Sequence, residues 1–293
     1  MDWSAHRICR CVRCRGIIGV RTADRRIAPQ CEPRGDQVSI PPDDTDITTA
    51  GTSSAATRLL GTLAVVGVAW LVAFGLLFSP ADRDQRESVR IMYVHVPSAW
   101  LAYLAFIVTA GASALYLFRA AHSLVWDRLA GASAEVGVVF MGITLLTGML
   151  WGRLSWGVFW TWDARLTTTA FLFVTYVGYL AVRRLGGTHQ QRARRSAAVA
   201  LLGVLEIPLV HFSVRLWRNL HQESTVARPD GDVKMDGLML FSLVVGLVAF
   251  TLLYVWLVIH RQRALVLEDA AEDHGLEQAL SDRRAEAALP GGR

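Results

Sequence analysis

The chain has 293 residues, 53% of them hydrophobic and only 19% charged, with a formal net charge of +5. Soluble domains carry roughly a quarter of charged residues, so this composition argues against an ordinary soluble globular protein. The excess positive charge is mostly loop and tail arginine, and with no nucleotide-binding motif in the chain nucleic acid is not an expected partner.

Residues 1–57 read as a basic tail without a packed core. They run from "RICRCVRCR" into the polar stretch "PPDDTDITTAGTSSAAT" and lack the apolar run of a secretory signal. All four cysteines lie here, Cys9, Cys11, Cys14 and Cys31. Their C-x-C-x-x-C spacing has no second matching set, which makes it a weak metal signal.

Six apolar blocks follow, at about 59–78, 98–118, 133–150, 166–182, 196–214 and 238–259. A bilayer core about 30 Å thick takes roughly 20 apolar residues per spanning helix. Lipid offers no partner to a bare backbone, so spans must be helices or closed barrels. The blocks are continuously apolar rather than alternating, which selects helices. The expected fold is all-α, a polytopic membrane protein with six transmembrane helices over 58–260 and a tryptophan-rich outer loop at about 149–167. A charged, Ala-rich tail occupies 261–293.

Orientation comes from the loop between the fourth and fifth spans, "RRLGGTHQQRARR", which has five arginines and no acid. The positive-inside rule places it in the cytoplasm, so both termini are expected there as well. No cysteine falls in an outer loop, and thiol chemistry is not expected on that side.

The outer segment between spans three and four, "MLWGRLSWGVFWTWDARLTTTAF", holds four of the ten tryptophans: Trp151, Trp156, Trp160 and Trp162. Tryptophan favours the membrane interface, so a plain interfacial belt is one reading. The other is a shelf for a flat apolar ligand such as a porphyrin, held by stacking and area burial. On a helix, Trp156, Trp160 and Asp163 would share a face. Gly152 and Gly157 would let a macrocycle approach the backbone. Asp163 and Arg165 are expected to fix the end of the segment or to meet the polar edge of a ligand.

Three histidines fall on the same side: His95 in "MYVHVPSAW", His211 in "IPLVHFSVRLW" and His221 in "NLHQ". Pro97 suits the first turn of a helix, which puts His95 at a helix N-terminus, where the dipole disfavours an imidazolium. His211 lies in an apolar run where charging is also costly. Both are expected to be neutral and able to ligate iron. Glu206 is an acid inside the fifth span, costly at that depth and usually functional, and Pro208 should bend the helix beside it.

These residues carry a resemblance. The pattern "WGxxxWGxxWxWDARLT" from Trp151 to Thr167 is similar to the tryptophan-rich WWD signature of haem-handling proteins of cytochrome c biogenesis. With "YVHVPSAW" and "IPLVHFSVRLWRNLHQ", the span 59–260 resembles the haem exporter protein C (CcmC) family. The phrase "SVRLW" departs from it, with Arg215 and Leu216 where the family has an acid and a tryptophan, and so does the tail 1–57.

The resemblance implies six spans, cytoplasmic termini and an inner-membrane location. It implies haem b held non-covalently at the outer face as a transferred ligand. His95 and His211 would be axial ligands of the iron, and Trp151, Trp156, Trp160, Trp162 and Asp163 the rest of the binding surface. Partners implied are the periplasmic haem chaperone CcmE, the subunits CcmA, CcmB and CcmD of an ABC-type complex, and membrane lipid. The work expected of the chain is positioning, without catalysis of its own. A transporter of haem or another small molecule would need a polar path, and the spans offer little beyond Ser and Thr. A structural subunit of an ABC-type complex would leave the tryptophans and histidines without a task.

Overall fold

The computed structural model describes residues 54–118, 123–217, 221 and 235–288. The cysteine-bearing tail lies outside them. Among the described residues, six helices are long and apolar enough to cross a membrane: Ala55–Phe78, Glu87–Phe118, Leu124–Trp156, Ala164–Arg183, His189–Leu216 and Gly237–Ala285. No strand accompanies them.

The helices extend beyond their apolar blocks, because a helix end can sit in water once its spare backbone groups are capped. Helix α1 (Ala55–Trp70) starts at the Ser54 cap and continues through wider π-helical turns over Leu71–Phe78. Arg90 closes that end, donating to the carbonyls of Leu76 at 2.7 Å and Ser79 at 3.1 Å. A 3-10 turn, Glu87–Ile91, leads directly into α2 (Met92–Phe118). This corrects one expectation: Pro97 is the sixth residue of α2, in its second turn and not its first. His95 is the fourth residue of α2, with the turn Glu87–Ile91 ahead of it.

Helix α3 (Leu124–Trp156) packs closely on α2 along a seam of Ala102, Ala105, Ala132, Ser133 and Ala134, all buried. Small residues let helix backbones approach in lipid, where hydrophobic burial no longer drives association. A Cβ on Gly137 would sit 2.6 Å from the Phe106 ring, so the seam excludes anything larger there. Hydrogen bonds reinforce it. Ser133 donates to the Ala105 carbonyl at 2.7 Å, and its hydroxyl lies 2.7 Å from that of Tyr254.

Helix α4 (Ala164–Arg183) joins through Tyr176, whose ring stacks on Phe106 at 3.6 Å. The fifth span is two helices, α5 (His189–Gly203) and α6 (Glu206–Leu216). The break between them falls about a turn before Pro208, as a residue lacking an N–H requires. Glu206 opens α6 and accepts from the Thr175 hydroxyl of α4 at 2.8 Å, so the intramembrane acid holds two helices together at the break. Helix α7 runs unbroken over Gly237–Ala288, past the boundary expected at 260.

The ends of the bundle differ in chemistry. At one end Asp127 of α3 receives both guanidinium arms of Arg183 of α4. Asp269 of α7 accepts from Arg128 at 2.8 Å and from Arg192 of α5 at 3.0 Å. Glu135 and Glu268 pair with Arg261. Four helices are thus tied by ion pairs at the end that holds the arginine-rich loop. The charges of the Asp127 and Asp269 pairs are largely removed from water, so breaking one of those pairs matters more than its net worth. Arg183→Met is expected to cost about 3 kcal/mol, the lower end for a broken buried pair, because it leaves buried Asp127 with Arg192, 3.6 Å away, as its remaining ion-pair partner among the described residues. Asp127→Leu combined with Arg183→Met should recover most of that loss, as measured by thermal unfolding in detergent.

Candidate functional site

The other end of the bundle gathers the start of α2, the end of α3, the start of α4 and the end of α6, and here the tryptophan-rich segment lies. It is not one helix. Helix α3 ends at Trp156, and Gly157 takes a left-handed conformation (φ +80°) with its N–H on the Arg153 carbonyl at 3.1 Å. Residues 157–162 then cross in a non-helical connection, and Asp163 caps α4 by accepting from the Leu166 N–H at 2.9 Å. Trp156, Trp160 and Asp163 therefore do not share a helical face, because the glycine that favours φ > 0 stops the helix first. Both glycines have tasks within the chain. Gly157 makes the turn, and Gly152 packs beneath the Val158 carbonyl, 3.3 Å from where a Cβ would stand.

Breaking the helix exposes the aromatics. Trp162 is 83% accessible, and Phe159 and Val158 stand beside it, also exposed. Trp160 meets Trp162 edge to face at 5.5 Å. The guanidinium of Arg153 lies 5.6 Å above the Phe159 ring and also donates to the Gly157 carbonyl, holding the start of the connection. The Trp160 Nε1 is buried and finds no acceptor among the described residues. An indole N–H in that position usually has a partner.

His95 faces this end from α2. Its Nδ1 lies 3.1 Å from the Thr147 hydroxyl of α3. That hydroxyl donates to the Ile143 carbonyl at 2.7 Å, which leaves its oxygen to accept. His95 is therefore read as the neutral tautomer with the proton on Nδ1, and Nε2 keeps its lone pair. The ring stands edge to face with Trp151 at 5.7 Å. Trp151 in turn donates to the Gln85 side chain at 2.7 Å. Gln85 is placed by a turn in which Asp82 accepts from the N–H groups of Asp84 and Gln85. A Cβ on Gly148 would come within 3.1 Å of the His95 ring, so the ring depends on a glycine one turn before Gly152.

His211 lies exposed on α6, its ring edge to face with Phe212. Its link to the tryptophan segment passes through Arg165, which donates to the His211 carbonyl at 3.4 Å. His221, which follows α6 in the chain, lies at the same place. Its Nδ1 is 3.3 Å from the Asp163 carboxylate, and its ring lies 4.9 Å from Trp156. Burial pushes the imidazole below its ordinary value against the pull of that carboxylate.

The structure thus joins His95 with Trp151, joins Trp156 with Asp163 through His221, and places Trp160 against Trp162. Composition and spacing did not reveal Gln85, Thr147 or Gly148. Their signal is structural: each holds a side chain of a distant segment, and none belongs to a motif. Among the described residues, one group could by distance hold a metal ion, His189 with Asp269 and Glu272, at the opposite end. Asp269 is already compensated there by two arginines.

Comparison with known proteins agrees in scale. A family profile described as Heme exporter protein C matches residues 46–276. A protein of that name from Bradyrhizobium diazoefficiens is 38% identical over 230 residues, covering 76% of this chain and 84% of the relative. Its namesake from Escherichia coli is 35% identical over 213 residues, 71% and 82% of the two chains. A ccmC-like mitochondrial protein of cytochrome c biosynthesis from Marchantia polymorpha is 37% identical over 169 residues, 56% of this chain and 71% of the relative.

Gly148→Val is expected to push the His95 imidazole off α3 and break its contact with Thr147. In 15N-histidine NMR the protonated Nδ1 signal of His95 should shift toward a mixture of tautomers, while the α2–α3 seam around Gly137 keeps wild-type chemical shifts.

Proposed function

The chain belongs to the heme exporter protein C family and is a multi-pass membrane protein that handles haem in cytochrome c biogenesis; from this we propose that it holds haem at the tryptophan end and presents it to the chaperone CcmE. In this reading that end faces the periplasm and both termini are cytoplasmic. The family points to an ABC-type complex as the setting, and CcmA, CcmB and CcmD are the proposed neighbours.

His95 and His211 are the proposed axial ligands of haem b, bound non-covalently. Trp151, Trp156, Trp160 and Trp162 form the apolar surface, and Asp163 anchors its far end. The observation that carries the reading is the state of His95. Its Nδ1 is committed to Thr147, so Nε2 is left as a neutral donor, which is the form that binds haem iron. The residues around it fit the ligand on independent grounds. A planar macrocycle offers a face to exposed aromatics, and its carboxylates offer the acceptor that Trp160 Nε1 lacks.

The haem brings the iron and a vinyl group; the protein's contribution is geometric. Two imidazoles on separate helices would fix the iron, the tryptophans would shield one side of the macrocycle from water, and an open edge would leave the vinyl group to the chaperone.

In detergent, the purified wild type should carry a Soret band with the bands of low-spin, six-coordinate haem. His95→Ala and His211→Ala should each abolish the low-spin bands and lower haem retention about tenfold or more, the scale of one strong ligand interaction. Trp160→Phe keeps the ring face and removes the N–H. It should retain the bands while weakening haem binding by about tenfold, the worth of a hydrogen bond to a charged group. Wild-type spectra and chaperone loading in both histidine variants would refute the axial assignment.

A further inference from the structure

The end of the bundle that holds the arginine-rich loop uses most of its cations in pairs. Arg128, Arg183, Arg192 and Arg261 each reach a carboxylate. Arg263 of α7 does not. Its Nη1 is buried without an acceptor among the described residues. About one turn earlier, the Nε2 of His260 is buried and unpartnered in the same way.

Both stand where α1 begins. Helices α1 and α7 run antiparallel: a Cβ on Gly67 would meet Ala249 at 2.6 Å, and one on Gly61 would meet Trp256 Nε1 at 2.8 Å. Ala249, Trp256 and Arg263 recur two helical turns apart, so they share a face of α7. The first two of them lie against α1, and two turns before Gly61 that helix starts at its cap, Ser54. The register therefore sets Arg263 level with the N-terminus of α1. His260 is on the same side of α7, its ring edge to face with Trp256 at 4.5 Å.

Positive charge is thus gathered where a helix already presents its positive pole. The first turn of α1 holds no acid, and its fourth residue is an exposed arginine, Arg58. Glu135 and Glu268 are taken by Arg261. Such a convergence of donors is unfavourable alone and favourable around an anion. A guanidinium offers the forked N–H groups that suit phosphate. The surroundings are those of a lipid. The first span is the least buried of the six, its apolar Leu59, Leu63 and Val65 are exposed, and a tryptophan such as Trp256 favours the headgroup level.

We propose that the junction of α1 and α7 binds an anionic phospholipid. Its headgroup phosphate accepts from Arg263 and His260 at the N-terminus of α1, and its acyl chains lie along the exposed face of that helix. Haem has no part in this site.

The test uses full-length protein, delipidated in detergent and titrated with phosphatidylglycerol, phosphatidylcholine or inorganic phosphate, with native mass spectrometry and thermal unfolding as readouts. The wild type should prefer phosphatidylglycerol to phosphatidylcholine several-fold. Arg263→Met should bind phosphatidylglycerol about tenfold more weakly and His260→Ala about threefold, the scale of a charged and an ordinary hydrogen bond. Arg263→Lys keeps the charge without the fork and should fall between wild type and Arg263→Met. Arg284→Gln, an exposed position further along α7, should match wild type. Without lipid, Arg263→Met should melt no lower than wild type, because the guanidinium it removes has no partner to leave behind. Phosphatidylglycerol should raise the melting temperature of the wild type and not of Arg263→Met.

Equal phosphatidylglycerol binding by wild type and Arg263→Met would overturn the proposal. So would an equal loss in Arg284→Gln, which is the mark of general surface charge, or a lower melting temperature of lipid-free Arg263→Met, which would give Arg263 a partner inside the protein. Displacement of phosphatidylglycerol by inorganic phosphate would overturn the lipid assignment in favour of a free phosphate. If Arg263→Met does not accumulate, His260→Ala decides: weakened binding upholds the site, and wild-type binding overturns it.

Discussion

A helix in lipid must satisfy its own backbone, because the surroundings supply neither donors nor acceptors. Everything specific about this protein follows from where that condition is relaxed. Along the spans the sequence is confined to apolar residues, small residues at the α2–α3 seam, and a few hydroxyls bonded to nearby carbonyls. At helix ends the backbone can be capped by side chains, so charge, aromatic surface and irregular chain collect there. Exceptions within the spans are Glu135, which pairs with Arg261 of α7, and the α5–α6 break, where Glu206 bonds Thr175 across to α4.

The ends solve the capping problem differently. The arginine end uses ion pairs between helices, Asp127 with Arg183 and Asp269 with Arg128 and Arg192, which join α3, α4, α5 and α7. Paired charges with little access to water stiffen a scaffold and leave few groups over for a ligand. The tryptophan end caps each helix locally instead. Arg90 closes α1, Gly157 stops α3 and Asp163 starts α4. That leaves the intervening residues free of the helix, and Trp162 and Phe159 face outward. Two ordinary helix terminators, a glycine and an aspartate, six residues apart, thus suffice to turn a run of tryptophans into an exposed surface.

Much of the fold was legible because lipid permits so few solutions. Six apolar blocks of sufficient length fell within the six spanning helices, and Pro208 marked the neighbourhood of the break. The helix ends were less legible. The second span began eleven residues before its apolar block, since the turn Glu87–Ile91 is polar enough to look like loop. Helix α3 ran into the tryptophan motif because tryptophan is neutral to helix formation, and Gly157 ended it. At the site, His95, the tryptophans and Asp163 could be picked out because they belong to compact motifs. Thr147, Gly148 and Gln85 could not. A threonine and a glycine in an apolar helix look like ordinary packing, and their meaning lies in a histidine some fifty positions away, 3.1 Å from the Thr147 hydroxyl. His221 was visible as a histidine on the same side, but its partners only emerge in three dimensions.

The central claim is that segments far apart in the chain converge on one planar, iron-bearing guest through two imidazoles. Pulsed EPR of the ferric, haem-loaded protein grown with 15N-histidine tests it most directly. The account predicts a low-spin signal with two coupled imidazole nitrogens, one lost in His95→Ala and the other in His211→Ala. A high-spin signal, or a single coupled imidazole in the wild type, would contradict it.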